Sequence, residues 1–365
     1  MQRYNLKESR VLTLSALCLF LITLTSCAMV GPGSISKGRS DYNESINKTE
    51  DEQMLLSIVK ERYGETSSLL QVTGVAANIR FKSNVGADVG FGPESNYVGN
   101  LVPLSAGVSY EENPTVTYAP VRGETYIKQL MSPLPLNLVV LNIRAGTSSA
   151  RLFTMMANRI NGMRNPDFLY SPEVKPDTRF QSFVQLGEKL RLAGVLDILA
   201  DQNKDAPFVV VISDYAANYS EAVREYLDLL GLSMPADKSK TIVLPVYFTN
   251  RRDLNGISIS TRSTFDLIEI LKASIEIPQE HVNAGLAMKY QAPGLVGKDL
   301  HIYSSEERPD SAIVAVKHRG YWFYIDDTDM GTKLFYRTVR TLWSVSIAAS
   351  SDQNVAPLLT IPVSQ

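Results

Sequence analysis

The chain has 365 residues, a formal net charge of −2 at pH 7 and 44% hydrophobic residues. This length is enough to bury two sizeable cores, and the near-neutral charge gives no electrostatic reason to expect nucleic acid as a partner. The two cysteines, Cys18 and Cys27, are too few for a disulfide framework or a four-cysteine metal site.

The first residues have the layout of an export signal. Arg3, Lys7 and Arg10 precede an apolar run, VLTLSALCLFLITL, over residues 11–24. A helix needs about 20 apolar residues to cross a bilayer, so this run is short for a permanent span. The sequence therefore predicts a cleaved signal peptide, with a short signal anchor as the competing interpretation.

The apolar run ends in Leu24-Thr25-Ser26-Cys27, which resembles the lipobox of bacterial lipoproteins. The resemblance implies a signal peptide over residues 1–26 and acyl chains such as palmitate on Cys27. Because Ala28 follows the cysteine, it also implies sorting to the outer membrane of a Gram-negative cell. We therefore expect a membrane anchor at Cys27, on the periplasmic face, followed by a flexible tether over the Gly/Ser/Pro-rich residues 27–40.

The next segment, residues 41–165, is predicted to hold a helix, a hairpin and further helices. The helix begins near Asp41 and ends at Gly64, with Met54 and Leu55 on its apolar face and Lys60 and Glu61 on its solvated face. Residues 78–118 then alternate apolar and polar side chains and are rich in glycine, which predicts an antiparallel β-hairpin. Such a hairpin is either soluble or inserted in a membrane, and the pattern leaves both open.

Short helices are predicted next, the last of them over residues 149–163 and ending at Gly162. The proline-rich residues 166–177 are predicted to be a linker to a C-terminal domain, residues 178–365, of mixed strands and helices. Near its end, SAIVAVKHRGYWFYID is predicted to be a β-hairpin that turns at His318-Arg319-Gly320. The predicted fold class is α+β: helix-rich, with an N-terminal glycine-rich hairpin and a C-terminal mixed α/β domain.

The best candidate for chemistry is Asp326-Asp327-Thr328-Asp329, directly after an apolar strand. The pattern is similar to that of phosphatases with an aspartate nucleophile, and Asp327 and Asp329 are candidate metal ligands for a metal-dependent hydrolase. Carboxylates at this place also cap the helix that follows. Helix capping is the simpler interpretation.

Other catalytic patterns are incomplete. Ser57 and Lys60 match the Ser-x-x-Lys of penicillin-binding enzymes, but the further motifs of that family are missing. His281, His301 and His318 are far apart and lack the spacing of a zinc site. A Ser-His-Asp triad stays open, because its parts need not be adjacent in sequence. We predict no cofactor and no catalytic residue.

Several longer strings are similar to a group of bacterial envelope lipoproteins without an assigned activity. They include ENPTVTYAPVRGETYIKQLMSP and KHRGYWFYIDDTDMGTKLFYRTV. The leading hypothesis is an outer-membrane lipoprotein that acts as a scaffold or assembly component of an envelope complex, with protein partners and a possible homo-oligomer. The alternatives are a subunit of an oligomeric outer-membrane pore formed by the 78–118 strands, and a metal-dependent periplasmic hydrolase.

Overall fold

A computed structural model describes most of the chain. The described residues are 30–67, 69–76, 79–87, 104–112, 115–121, 123–166, 177–203, 205–237, 240–251, 254–290, 297–351 and 359–362. Cys27 lies outside them. The chain divides into two compact units, residues 1–52 and 53–365. Helices and sheets are mixed along the chain, which confirms the predicted α+β class.

Helix α1 spans Val30–Arg62 and therefore begins well before the predicted start at Asp41. A flexible tether was predicted over residues 27–40, whereas the chain is helical from Val30 onward. Pro32 is compatible with this start, because the N–H groups of a first helical turn have no intrahelical partner. In the second unit, α1 buries Met54 and Leu55 in the core, as its apolar spacing predicts.

Four strands follow α1. Their bounds are β1 Leu69–Ala76, β2 Ile79–Ala87, β3 Leu104–Glu112 and β4 Thr115–Val121. Strand β1 pairs with β4, β2 pairs with β3, and a C-terminal strand, β14 Leu359–Pro362, pairs with the other edge of β4. The pair β1–β4 and the pair β2–β3 share one register, since Ala76 lies opposite Thr115 and Ile79 lies opposite Glu112. Residues 88–103 lie outside the described part of the chain, so the glycine-rich hairpin as a whole stays a prediction.

Three short helices come next, α2 Glu124–Met131, α3 Leu136–Arg144 and α4 Ser149–Met156. The predicted helix over residues 149–163 is wrong beyond Met156. There the chain forms two short strands, β5 Ala157–Ile160 and β6 Met163–Arg164. Asn161 and Gly162 join them with φ values of 43° and 79°. Two successive residues with positive φ are typical of a type I′ hairpin turn, which reverses the chain where the helix was expected to continue.

The largest sheet has six strands in the order β6-β5-β10-β9-β8-β7. The remaining strands are β7 Leu196–Ala200, β8 Phe208–Ile212, β9 Ile242–Phe248 and β10 Ile257–Thr261. Helices α5 Thr178–Leu192 and α6 Ser220–Leu230 accompany it. Because β5 pairs with β10, this sheet takes strands from both sides of the predicted linker at 166–177.

In the C-terminal part, helices precede and follow a small three-stranded sheet along the chain. Its elements are α7 Thr264–Ala273, α8 Gln279–Asn283, a 3₁₀ turn Gly297–Asp299, β11 Tyr303–Ser305, β12 Ala312–His318, β13 Tyr321–Asp326, α9 Met330–Ser351 and β14 Leu359–Pro362. Arg319 and Gly320 form the predicted hairpin turn, with φ values of 49° and 92°. The indole of Trp343 on α9 donates to the Tyr126 hydroxyl on α2 at 2.7 Å.

Among the described helices, none combines the length and the apolar character needed to cross a bilayer.

Candidate functional site

The aspartates after β13 form the start of a helix. Asp329 accepts the backbone N–H of Thr332 at 3.0 Å and the hydroxyl of the same residue at 2.6 Å, which is an N-terminal cap of α9. Asp326 accepts the hydroxyl of Thr328 at 2.5 Å and the backbone N–H of the same residue at 2.8 Å, and these two hydrogen bonds hold the pKa of Asp326 below its usual range. The helix-capping interpretation is confirmed by these contacts.

Asp327, the other candidate metal ligand, pairs with Lys333, whose Nζ lies 2.6 Å from its Oδ1. Within the described residues, no three His, Cys, Asp or Glu side chains are grouped so that they could hold a metal ion. Asp327 and Asp329 as metal ligands, and the hydrolase hypothesis built on them, stay predictions without added support.

The structure brings two of the three histidines together. The Tyr63 hydroxyl lies 2.7 Å from Nδ1 of His281, and the ring of His318 lies edge-on to Tyr63 at 5.2 Å between centroids. His301 is elsewhere and stacks on Tyr303. The long sequence separation of the histidines gave no signal of this contact, because β12 and α8 are both brought to the end of α1 by the fold.

Ser57 does not have the surroundings of a catalytic serine. Its side chain is 2% exposed, and its hydroxyl donates to Glu61 at 3.5 Å. A nucleophile must be reached by its substrate, and Ser57 is enclosed in the core. Glu61 was predicted to lie on the solvated face of the helix. Instead, it pairs with the buried Lys272 at 3.0 Å.

Lys272 on α7 is the centre of a buried polar network. It is 5% exposed and lies between the carboxylates of Glu269 and Glu61. The Tyr290 hydroxyl donates to Glu269 at 2.8 Å. Burial lowers the pKa of Lys272, but the contacts with Glu269 and Glu61 outweigh it, and the net shift is upward. The charge of Lys272 is thus matched by its neighbours.

Arg62, the last residue of α1, has a different environment. It is 8% exposed, and its guanidinium carbon lies 4.3 Å from the centre of the Tyr290 ring. Its Nε and Nη1 atoms have no hydrogen-bond partner. Burial lowers the pKa of Arg62, because a charged group is removed from water.

Beside it, Glu65 joins the end of α1 to the β12–β13 turn. One carboxylate oxygen, Oε1, accepts from Nε of Arg319 at 2.9 Å and from Nη2 at 2.7 Å. The same oxygen lies 3.3 Å from Nε2 of His318, without the geometry of a hydrogen bond. The hydrogen bond from Arg319 lowers the pKa of Glu65.

A cleft of about 750 Å³ runs along α9 and is here called the α9 cleft. One wall is α9 itself, where Leu334, Thr338, Leu342 and Val345 line the cleft. The other walls come from α3, α4 and α5. Its volume is within the range of protein binding sites, and its lining is mostly apolar.

Sequence reasoning predicted α9 but not this cleft. One signal was present, because α9 carries Leu334, Leu342 and Val345 in addition to the buried Phe335 and Trp343. An apolar stripe wider than one packing face indicates a second surface to be covered. The opposite walls could not be foreseen, since they depend on how three distant helices pack.

Compared with protein-family models, curated proteins and solved structures, the chain matches none. The interpretation of the site therefore rests on the residues described above.

Proposed function

We propose that the protein is a lipid-anchored outer-membrane protein that faces the periplasm and acts as a scaffold or assembly component of an envelope complex. The lipobox-like residues 24–27 support the anchor. The α9 cleft is the observation that carries the assembly role, because it is an apolar surface shaped to take another element of structure.

The proposed occupant of the cleft is an amphipathic helix of an envelope protein. The α9 residues that line the cleft extend from Gly331 to Val345. At 1.5 Å per residue this is about 21 Å, or roughly four helical turns. Leu334, Thr338, Leu342 and Val345 recur at intervals of three and four, the spacing with which a helix receives a second helix.

The polar residues that line the cleft indicate how the partner is selected. Its polar lining includes the neutral side chains of Asn142, Gln181 and Gln185, and its charged residues, Arg151 and Asp299, have opposite signs. Apolar anchors rather than charge therefore decide the binding. Salt screens mainly interactions between charges. We therefore expect an affinity that changes little between about 50 and about 300 mM salt, the range over which the Debye length shortens markedly.

A photo-crosslinking residue at Val345 tests the cleft in the full-length protein in cells. Val345 is 62% exposed, and Leu192, 70% exposed and outside the cleft lining, is the matched control position. We expect a discrete adduct from Val345 that is absent from Leu192 and is lost when Leu342→Arg places a charge in the cleft. Equal adducts from both positions, or an adduct that persists in Leu342→Arg, would contradict the proposal.

The anchor is tested by labelling cells with palmitate. We expect Cys27→Ala to abolish incorporation of the label and to release the protein from the membrane fraction. Cys18→Ala, in the apolar run, is the control and should keep the label. Label that persists in Cys27→Ala would exclude lipidation at this residue.

A second candidate function is a subunit of an oligomeric pore, and the length of the β2–β3 pair favours it. Strands β2 and β3 have nine residues each and continue the register of β1 and β4. Nine residues extend about 30 Å, the thickness of a hydrocarbon core.

The mass of the detergent-extracted particle, measured by light scattering, separates the two candidates. A closed ring of many copies supports the pore, and Val85→Asp should then abolish membrane insertion of residues 78–118. A monomer or dimer contradicts the pore and leaves the scaffold proposal in place.

A further inference from the structure

Arg62 is a buried cation whose hydrogen-bonding capacity is largely unused. The residue is 8% exposed, and neither Nε nor Nη1 has an acceptor. These two atoms carry three of the five N–H groups of a guanidinium. The contact that does face the group is the ring of Tyr290, at 4.3 Å from the guanidinium carbon.

The neighbouring carboxylates are engaged with other cations. Glu61 and Glu269 both pair with Lys272. Glu65 pairs with Arg319. The negative electrostatic end of α1 favours a cation at this place, but a helix dipole supplies no acceptor to Nε or Nη1. An arginine in this state bears the full cost of desolvation.

We propose that Arg62 is a binding site for a small oxyanion, a carboxylate or a phosphate group, with the Tyr290 ring as one wall. Charge-assisted hydrogen bonds to oxyanions are the strongest that a guanidinium makes, and they would satisfy the unused donors. Nε and Nη1 are enclosed, and Tyr290 is partly exposed, so an oxyanion reaches these donors when the Tyr290 ring moves aside. The proposal is independent of the lipid anchor and of the α9 cleft.

The test is thermal unfolding of the full-length protein in chloride, inorganic phosphate or acetate, at pH 7.5 and constant ionic strength. We expect Tm to rise saturably with one of the oxyanions, by about 4 °C at a concentration of 100 times its Kd. A larger rise with phosphate identifies a phosphate group as the ligand, and a larger rise with acetate identifies a carboxylate.

The rise should vanish in Arg62→Met and be kept in Arg319→Met. Arg319 is the matched control, because it is another guanidinium near Tyr63 but is paired with Glu65. If Arg62→Met does not fold, Arg62→Lys keeps the charge with fewer donors and should weaken binding at least tenfold. The proposal is overturned if no oxyanion raises the Tm of the parent protein, or if the rise is unchanged in these Arg62 variants.

Discussion

Two buried cations, Lys272 and Arg62, lie near the same tyrosine, Tyr290, but differ in their hydrogen-bond partners. Lys272 and Arg62 are 5% and 8% exposed, and Tyr290 contacts Arg62 with its ring and Glu269, the partner of Lys272, with its hydroxyl. Lys272 has two carboxylates, whereas Arg62 has unused donors. The difference separates a charge that holds the fold together from a charge that is available to a ligand.

The comparison predicts its largest effect at Lys272. Lys272→Met leaves the buried carboxylate of Glu269 without a cation, which should lower the free energy of unfolding by about 3 kcal/mol. Urea unfolding measures this. Lys128→Met is the control, since Lys128 and Glu124 form an exposed pair, and should cost under about 0.5 kcal/mol. An equal loss of unfolding free energy in the two variants would contradict a structural role of Lys272.

The carboxylate of Glu188 is a negatively charged counterpart of Lys272, because its charge is also matched by its neighbours. Glu188 accepts the backbone N–H of Ser149 at 2.8 Å and pairs with Arg191 at 3.1 Å. Burial raises the pKa of Glu188, but the hydrogen bonds from Arg191 and Ser149 outweigh it and bring the pKa to about 2, below the ordinary 4.5.

Stability from Glu188 is therefore present above pH 4.5 and lost as the pH falls toward 2, by about 3 kcal/mol at most. Urea midpoints at pH 7 and pH 3 should show this loss in the parent protein. Glu188→Gln should be less stable than the parent at pH 7 and should show a smaller loss on acidification. An undiminished loss in Glu188→Gln would assign the acid sensitivity to other carboxyl groups.

Arg62→Met should have a far smaller effect than Lys272→Met. In chloride buffer it removes a buried charge and its desolvation cost without leaving a partner unpaired, so the free energy of unfolding should not fall. The same urea series measures it. A loss as large as that of Lys272→Met would show that Arg62 has a protein partner and would break the comparison.

The smallest expected effect is the pH dependence from His318. Burial lowers the pKa of His318, with Arg319 and Lys60 acting in the same direction and Glu65 opposing them. The folded protein then binds fewer protons than the unfolded chain just below pH 6.5, so Tm should fall as the pH is lowered through that value. His318→Gln should flatten this slope between pH 7.5 and 5.5. If the slope of Tm against pH is unchanged in His318→Gln, a group other than His318 is responsible for it.

The sequence predicted one tight turn and missed another of the same kind. Arg319-Gly320 was predicted because clear alternating strands flank it on both sides. Asn161-Gly162 was missed because an apolar helical pattern runs into it and β5 has only four residues, too few to show alternation. The Asn-Gly pair was the stronger local signal and should have prevailed over the helix.

The candidate sites depend on contacts that a sequence pattern does not contain. Arg62 ends a helix whose charged residues, such as Lys60, predict a solvated face. Its burial comes from the segment after α8, where the Met288 N–H donates to the Arg62 carbonyl at 2.9 Å. No local period encodes a contact across more than two hundred residues, whereas the apolar spacing of Met54 and Leu55 did predict their burial.

The pairing of β5 with β10 has a consequence for how the chain folds. Ile160 lies opposite Ile259 in the central sheet, so this contact closes a loop of about a hundred residues, and its entropic cost is met before the contact stabilises anything. During synthesis β5 can pair with β6, but its other neighbour in the sheet, β10, is absent until about a hundred more residues have been made. A protein with this topology completes its central sheet late in folding.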